Sequence, residues 1–373
     1  MGISRWLLAV ALVAGCAASA PASTRVVSRP AALPLSVLSV SFVSAADGWL
    51  LATPCADHPQ TCRTVVLRKT VDGGRTWLAV PAPAAPPADA YQASPPADAV
   101  GTIVFTSASQ GWAFGPALWR TTDGGASWQR VRVPGEVREL AAGAGRVVVL
   151  TERCRPDGWP CSAQVYGAAT GTADWRAVPG AGIAGIQFAG LAVSGAEGYL
   201  LGTASQGQGR PVLLGGSVTG SARWRPLPSP CDSTWTAALA TAPGGWLFLG
   251  CGTEPGAGQQ VKVAYLSANG GRTWHEVTSP PSGGYLGSAS MNSAGTIFLS
   301  GQRMDVYISR DRGRSWYESP SLANAAGQAG AGFSLAGSTV TSTFGYVFEE
   351  GVSQQQLWLS DDDGRTWVPS TIP

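Results

Sequence analysis

Few side chains in this sequence have the types and spacing that chemistry needs. The two histidines, His58 and His275, have no second ligand at a metal-site spacing and no Ser/His/Asp context, so no metal, cofactor or hydrolytic nucleophile is expected. The acid-rich Ser360-Asp361-Asp362-Asp363-Gly364 lacks the alternate acids and distal glutamate of a calcium loop. Gly207-Gln208-Gly209 does not stand between a strand and a helix, where a phosphate-cradling turn belongs. A formal net charge of +2 with no basic run excludes the electrostatic footprint of a nucleic-acid binder. What remains is a set of aromatic and charged residues: Tyr91, Asp98, Arg138, Glu139, Trp159, Asp232, Trp235 and Tyr285. Such a mixture suits a glycan or an extended peptide, and equally suits the packing of loops.

The elements that position these residues follow from an internal repeat. One octapeptide recurs at 70–77, 121–128, 267–274, 309–316 and 360–367, with Ser or Thr first, Asp or Asn third, Gly fifth, Ser or Thr seventh and Trp eighth. Its acid or amide is Asp72, Asp123, Asn269, Asp311 and Asp362, and its last residue is Trp77, Trp128, Trp274, Trp316 and Trp367. Two worn copies end on Trp175 and Trp224. The seven tryptophans are separated by 51, 47, 49, 50, 42 and 51 residues, the period of a four-stranded propeller blade. Upstream of most copies lie two apolar runs joined by a small-residue turn, as in 40–51, 103–114, 140–150, 191–201, 237–249 and 288–299. These predict the first two strands of each blade. An Asp side chain bonding to backbone two residues on, a glycine at positive φ and a space-filling Trp make the octapeptide a turn device between the third and fourth strands. The expected fold is all-β, a seven-bladed β-propeller of four-stranded antiparallel blades over residues 35–373. That register puts Asp98, Arg138, Glu139, Asp232, Trp235 and Tyr285 near the starts of first strands, and Trp159 and Tyr91 in loops on the same face.

Arg5 followed by the short apolar stretch 6–14 reads as a signal peptide over 1–15, too short to span a bilayer. Val13-Ala14-Gly15-Cys16 resembles the bacterial lipobox, which implies lipidation of Cys16. The Ala-, Ser- and Pro-rich segment up to residue 34 then reads as a flexible tether. The protein is expected outside the cytoplasm, anchored to the outer side of the bacterial cytoplasmic membrane or at the cell surface. Six cysteines remain, suited to disulfides in an exported chain. Cys55 and Cys62 lie 22 and 15 residues before Trp77, and Cys154 and Cys161 lie 21 and 14 before Trp175, so each pair should clamp the loop between second and third strands. Cys231, before the fifth blade's first strand, should meet Cys251 at the end of its second. All three bridges are expected on the face opposite the octapeptides.

The octapeptide resembles the Asp-box, or bacterial neuraminidase repeat. Sialidases carry it, and a glycoside hydrolase of sialidase-like architecture would need three convergent arginines and a Tyr–Glu pair. The arginines instead cluster in or beside the octapeptides, at Arg75, Arg272, Arg310, Arg312, Arg314 and Arg365. Together with the recurring pairs Gly48-Trp49, Gly111-Trp112 and Gly245-Trp246, the repeats resemble the Ycf48/HCF136-like propellers. That family implies a non-catalytic, membrane-attached assembly factor, in photosynthetic organisms for photosystem II. The resemblance implies here a rigid disc that binds a protein or glycan through its loop face, with glycoside hydrolysis as the alternative; a monomer is expected.

Overall fold

In a computed structural model, residues 35–372 are described apart from 55–61, 89–94, 156–157, 173, 204–208, 221, 233, 303–305, 319–331, 338–344 and 351–356. Side chains of 159, 301–302, 332–337 and 345–350 are also outside the description. Cys16, Cys55, Tyr91 and the N-terminal segment 1–34, and with them the leader, the anchor and the Cys55–Cys62 bridge, lie outside the described residues.

The chain is a β-propeller of four-stranded antiparallel blades, all within the compact unit Leu33–Pro373. Each blade is cut from one unbroken stretch. The first comprises Ser36–Phe42, Gly48–Thr53, Val66–Thr70 and Leu78–Val80; the second Thr102–Phe105, Gly111–Phe114, Leu118–Thr121 and Gln129–Val131. The third has long strands, Glu136–Gly143, Arg146–Arg155, Gly158–Ala169 and Arg176–Ile186. The fourth comprises Phe188–Ser194, Glu197–Thr203, Val212–Ser217 and Arg225–Leu227, and the fifth Thr236–Ala242, Trp246–Gly252, Lys262–Ser267 and His275–Val277. The sixth comprises Tyr285–Met291, Ile297–Gln302, Val306–Ser309 and Tyr317–Glu318. These six are described almost throughout. The remaining sheet, Gly332–Gly337, Gly345–Glu350, Leu357–Ser360 and Val368–Ser370, is described only by backbone pairing in its first two strands.

Burial explains the ring. Second strands lie mid-sheet with both faces covered, and Gly48–Thr53 is buried at every position, which is why these strands read as unbroken apolar runs. Between neighbouring sheets sit separate apolar clusters. One joins Trp49 and Leu51 to Ile103 and Phe105, and another joins Leu150 and Val165 to Leu200 and Leu214. A third joins Leu50 and Val37 of the first sheet to Leu357 of the last. First strands of most neighbouring sheets pack side by side, as Ser36–Phe42 does with Thr102–Phe105 and Thr236–Ala242 with Tyr285–Met291, and among the described residues their inner edges carry no further strand. Free edge amides therefore need side-chain partners. Ser39 Oγ accepts from the Ile103 amide at 3.1 Å and Ser41 Oγ from the Phe105 amide at 2.9 Å.

The octapeptides fold as turns between third and fourth strands. In 70–77, Thr70 Oγ1 donates to Asp72 Oδ1 at 2.8 Å and accepts from the Gly74 amide at 2.8 Å. Asp72 then accepts from the Thr76 amide at 2.9 Å and the Thr76 hydroxyl at 2.6 Å, while Gly73 and Gly74 hold φ of 72° and 80°, open to glycine. Asp123, Asp311 and Asp362 repeat the pattern, and Asn269 substitutes an amide that donates to Thr273 Oγ1 at 2.8 Å. Each turn also holds its neighbour. Trp128, Trp274 and Trp316 donate through Nε1 to the carbonyls of Pro81, Pro228 and Thr278 beside the preceding blade's outer strand.

Candidate functional site: the mouth of the central channel

Antiparallel order places octapeptide turns at one end of the strands, with the second-to-third turns and the blade connections at the other. Two disulfides mark that second end. Cys154 and Cys161 are bridged across directly paired strands, with Cα atoms 4.0 Å apart. Cys231, before the fifth blade, is bridged to Cys251 in its second strand. The first differs from a clamp on a loop, because the third blade's hairpin runs on through Arg155 and Gly158. Trp159 therefore belongs to a strand and not to a loop.

First strands of the second to sixth blades surround a cavity of about 740 Å³ on the axis. Their inward positions are small or aliphatic, among them Ala189, Gly190, Leu191, Ala237, Leu239 and Gly287. The missing side-chain volume leaves the channel open. At its mouth a second cavity of about 300 Å³ lies among Arg138, Glu139, Glu152, Phe188 and the Cys154–Cys161 bridge. Arg138 and Glu139 alone of the eight sequence candidates line either cavity among the described residues.

The charges there are interlocked. Arg138 donates to Glu136 at 2.9 Å and to Glu152 at 3.2 Å. Glu152, buried on the neighbouring strand, is held above its ordinary range chiefly by that burial, with Arg138 opposing. Glu139 reaches across to the fourth blade, where its Oε2 accepts from the Leu191 amide. Burial pushes its carboxyl up to about 7, the Leu191 amide opposes the shift, and repulsion from Glu152 adds to it. Phe188, which opens the fourth blade, is 54% exposed beside this cluster.

The other candidates are dispersed. Asp98 is exposed on a short turn closed by the Ala99 amide to Pro96 carbonyl bond. Asp232 is exposed and pairs with Arg210. Trp235 is 37% exposed ahead of the fifth blade, its amide bound to the Gly252 carbonyl. Tyr285 is half-buried at the start of the sixth. Glu136, Glu152 and Phe188 were not expected at the site. The signal for Glu152 is its place two residues before Cys154, where the Glu152–Glu136 and Leu150–Glu139 pairings bring the acids beside Arg138.

No protein-family model and no curated protein matches the sequence. Solved structures do resemble the fold. A Ycf48 described as bound to D1 peptide aligns at 19% identity over 89% of this chain and 92% of that one, with a TM-score of 0.55. Ycf48 from Cyanidioschyzon merolae aligns at 17% identity over 90% and 98%, with a TM-score of 0.57. The β-propeller domain of the Trilobed protease from Pyrococcus furiosus aligns at 9% over 91% and 98%, with a TM-score of 0.52. At these identities the shared property is the β-propeller fold.

Proposed function

We propose that the chain is an exported, lipid-anchored propeller of seven blades, held at the membrane through Cys16. It serves as a scaffold that binds a partner protein at the disulfide-bearing mouth of its channel. The observation that carries this reading is the open channel, small-walled and flanked at its mouth by exposed Phe188 and the Arg138–Glu139–Glu152 cluster. Apolar and charged groups converging on one concavity are the usual marks of a binding site. The fold-level likeness to a Ycf48 with a bound peptide supports a polypeptide partner, by analogy. A sialidase-like reaction is less well supported. Among the described lining residues Arg138 is the only arginine, and two glutamates already engage it.

The test is a photo-crosslinking amino acid at position 188 in cells producing the full chain, with position 78 on an outer strand as control. A discrete protein adduct from 188 and none from 78 supports the scaffold. Equal or absent adducts refute it. Cys16→Ser should move the protein from the membrane pellet to the soluble fraction, and retention in the pellet would refute the anchor.

A further inference from the structure

Glu139 does a job that elsewhere needs no charge. A first strand's inner amides must be capped by the neighbouring blade, and between the first two blades serine hydroxyls suffice. At the fourth blade a carboxylate caps Leu191 instead. One carboxylate oxygen meets that amide. The other, Oε1, has no hydrogen-bond partner among the described residues, and Glu139 lines both the axial cavity and the mouth cavity.

The surroundings specify what that oxygen can receive. Arg138 is engaged by both Glu136 and Glu152, so its single positive charge is already taken up, and Glu139 adds further negative charge to the mouth when ionised. The described walls contributed by the second, fourth, fifth and sixth blades carry no charged residue of their own. Leu191 and Leu239 share the cavity wall with hydroxyl side chains such as Thr236 and Ser288. A lysine or arginine side chain has matching parts, an apolar stem that packs along such a wall and a cationic head.

We propose that Glu139 receives the cationic side chain of a lysine or arginine from an extended segment of the partner, with the stem lying in the leucine-lined channel. This rests on the scaffold reading and adds the chemistry of what is bound. Because the carboxyl sits at about 7 in the free protein, its ionised fraction falls roughly tenfold from pH 8 to pH 6, and binding falls with it.

The probe is a phage-displayed library of random dodecapeptides, panned at pH 8 against the full chain in detergent. The selected peptides are expected to share a lysine or arginine. The tightest of them should lose affinity about tenfold at pH 6, and at least as much against Glu139→Gln. Glutamine keeps the acceptor for the Leu191 amide, and the pH titration on the unaltered protein needs no variant at all. Selected peptides without a shared basic residue, or with affinity indifferent to pH and to Glu139→Gln, overturn the inference while the crosslinking result leaves the scaffold standing. Retention of glucosamine oligomers and of no basic peptide overturns it too. Failure of the scaffold itself is read separately, from the absence of a position-188 adduct.

Discussion

The chain has two lysines, Lys69 and Lys262, and the structure gives them opposite surroundings. Lys262 is 1% exposed. Its Nζ donates to the carbonyls of Gly283 at 2.7 Å, Pro281 at 2.9 Å, Gly284 at 3.0 Å and Gln260 at 3.3 Å, and lies 5.7 Å from the centre of the Tyr307 ring. The ammonium thus holds the connection from the fifth blade to the sixth. Lys262→Met keeps the stem and removes the donors. A buried carbonyl without a donor costs about 1–3 kcal/mol, so three from the 281–284 turn set a gross loss of roughly 3–9 kcal/mol. Holding an ammonium out of water costs several kcal/mol, which methionine avoids. The net expectation is a loss of about 2–4 kcal/mol. Half-buried Lys69, 5.1 Å from the centre of the Trp49 ring, makes a contact worth only about 0.5–1 kcal/mol. Urea unfolding of Lys262→Met and Lys69→Met compares the two directly. Amine acetylation read by mass spectrometry gives a second measure: in the folded protein Lys69 should react and Lys262 should not. Equal midpoints for the two variants, or equal labelling of the two lysines, would refute the reasoning.

Two further outcomes follow from other parts of the fold. Asp72, Asp123 and Asp362 are held at about 2, Asp72 and Asp123 chiefly by bonds from their own turn's hydroxyl and amide, and Asp362 by the same bonds against some burial. Their contribution is full above the unfolded value near 4 and is lost as pH falls from there through 2. Glu139 works the other way: raised to about 7, it destabilises the fold when ionised, so stability rises as pH falls from 7 toward 4.5. Melting temperature against pH should therefore peak near pH 4–5, and Glu139→Gln should flatten the neutral side of the curve; a maximum that stays at neutral pH would contradict the Glu139 assignment, and a melting temperature that holds from pH 4 down to pH 2 would contradict that of the aspartates. Gly111→Ala puts a Cβ 2.4 Å from a Phe105 ring atom, and that ring stacks on Trp49 at 3.8 Å and cannot step aside. A loss of about 1–3 kcal/mol is expected from this overpacking, against little change for Gly190→Ala, where nothing lies within 4 Å. Equal melting temperatures would count against the packing described.

The repeat made the blades legible because the octapeptide is a local device: its hydroxyl, acid and glycines satisfy one another within eight residues, so spelling and structure coincide. Second strands were legible for a different reason, since burial on both faces demands an unbroken apolar run. Gly332–Gly337 and Gly345–Glu350 were not singled out, because the Gly-, Ala- and Ser-rich stretch before and between them carries no such run. The site was less legible. Arg138 and Glu139 could be placed near a strand start, but their partners Glu136 and Glu152 depend on the pairing of two strands, which side-chain type alone does not reveal. Trp159 reads as a loop residue in the sequence because nothing local signals that the third blade's hairpin extends past its disulfide. Asp98, Asp232, Trp235 and Tyr285 share a face with the channel, yet sharing a face does not bring side chains together.

The unbroken blades have one more consequence. Among the described residues, no strand from one end of the chain completes a sheet begun by the other. The first blade meets the last sheet through the cluster of Val37, Leu50, Trp77 and Leu357, and through Trp77 Nε1 donating to Ser370 Oγ at 3.1 Å. That seam is of the same kind as the joints between interior blades, where an octapeptide Trp rests on the blade before it. Position along the polypeptide therefore confers no privilege in the ring. A circular permutant, its old termini spliced and new ones opened at any connection between blades, would keep every pairing intact.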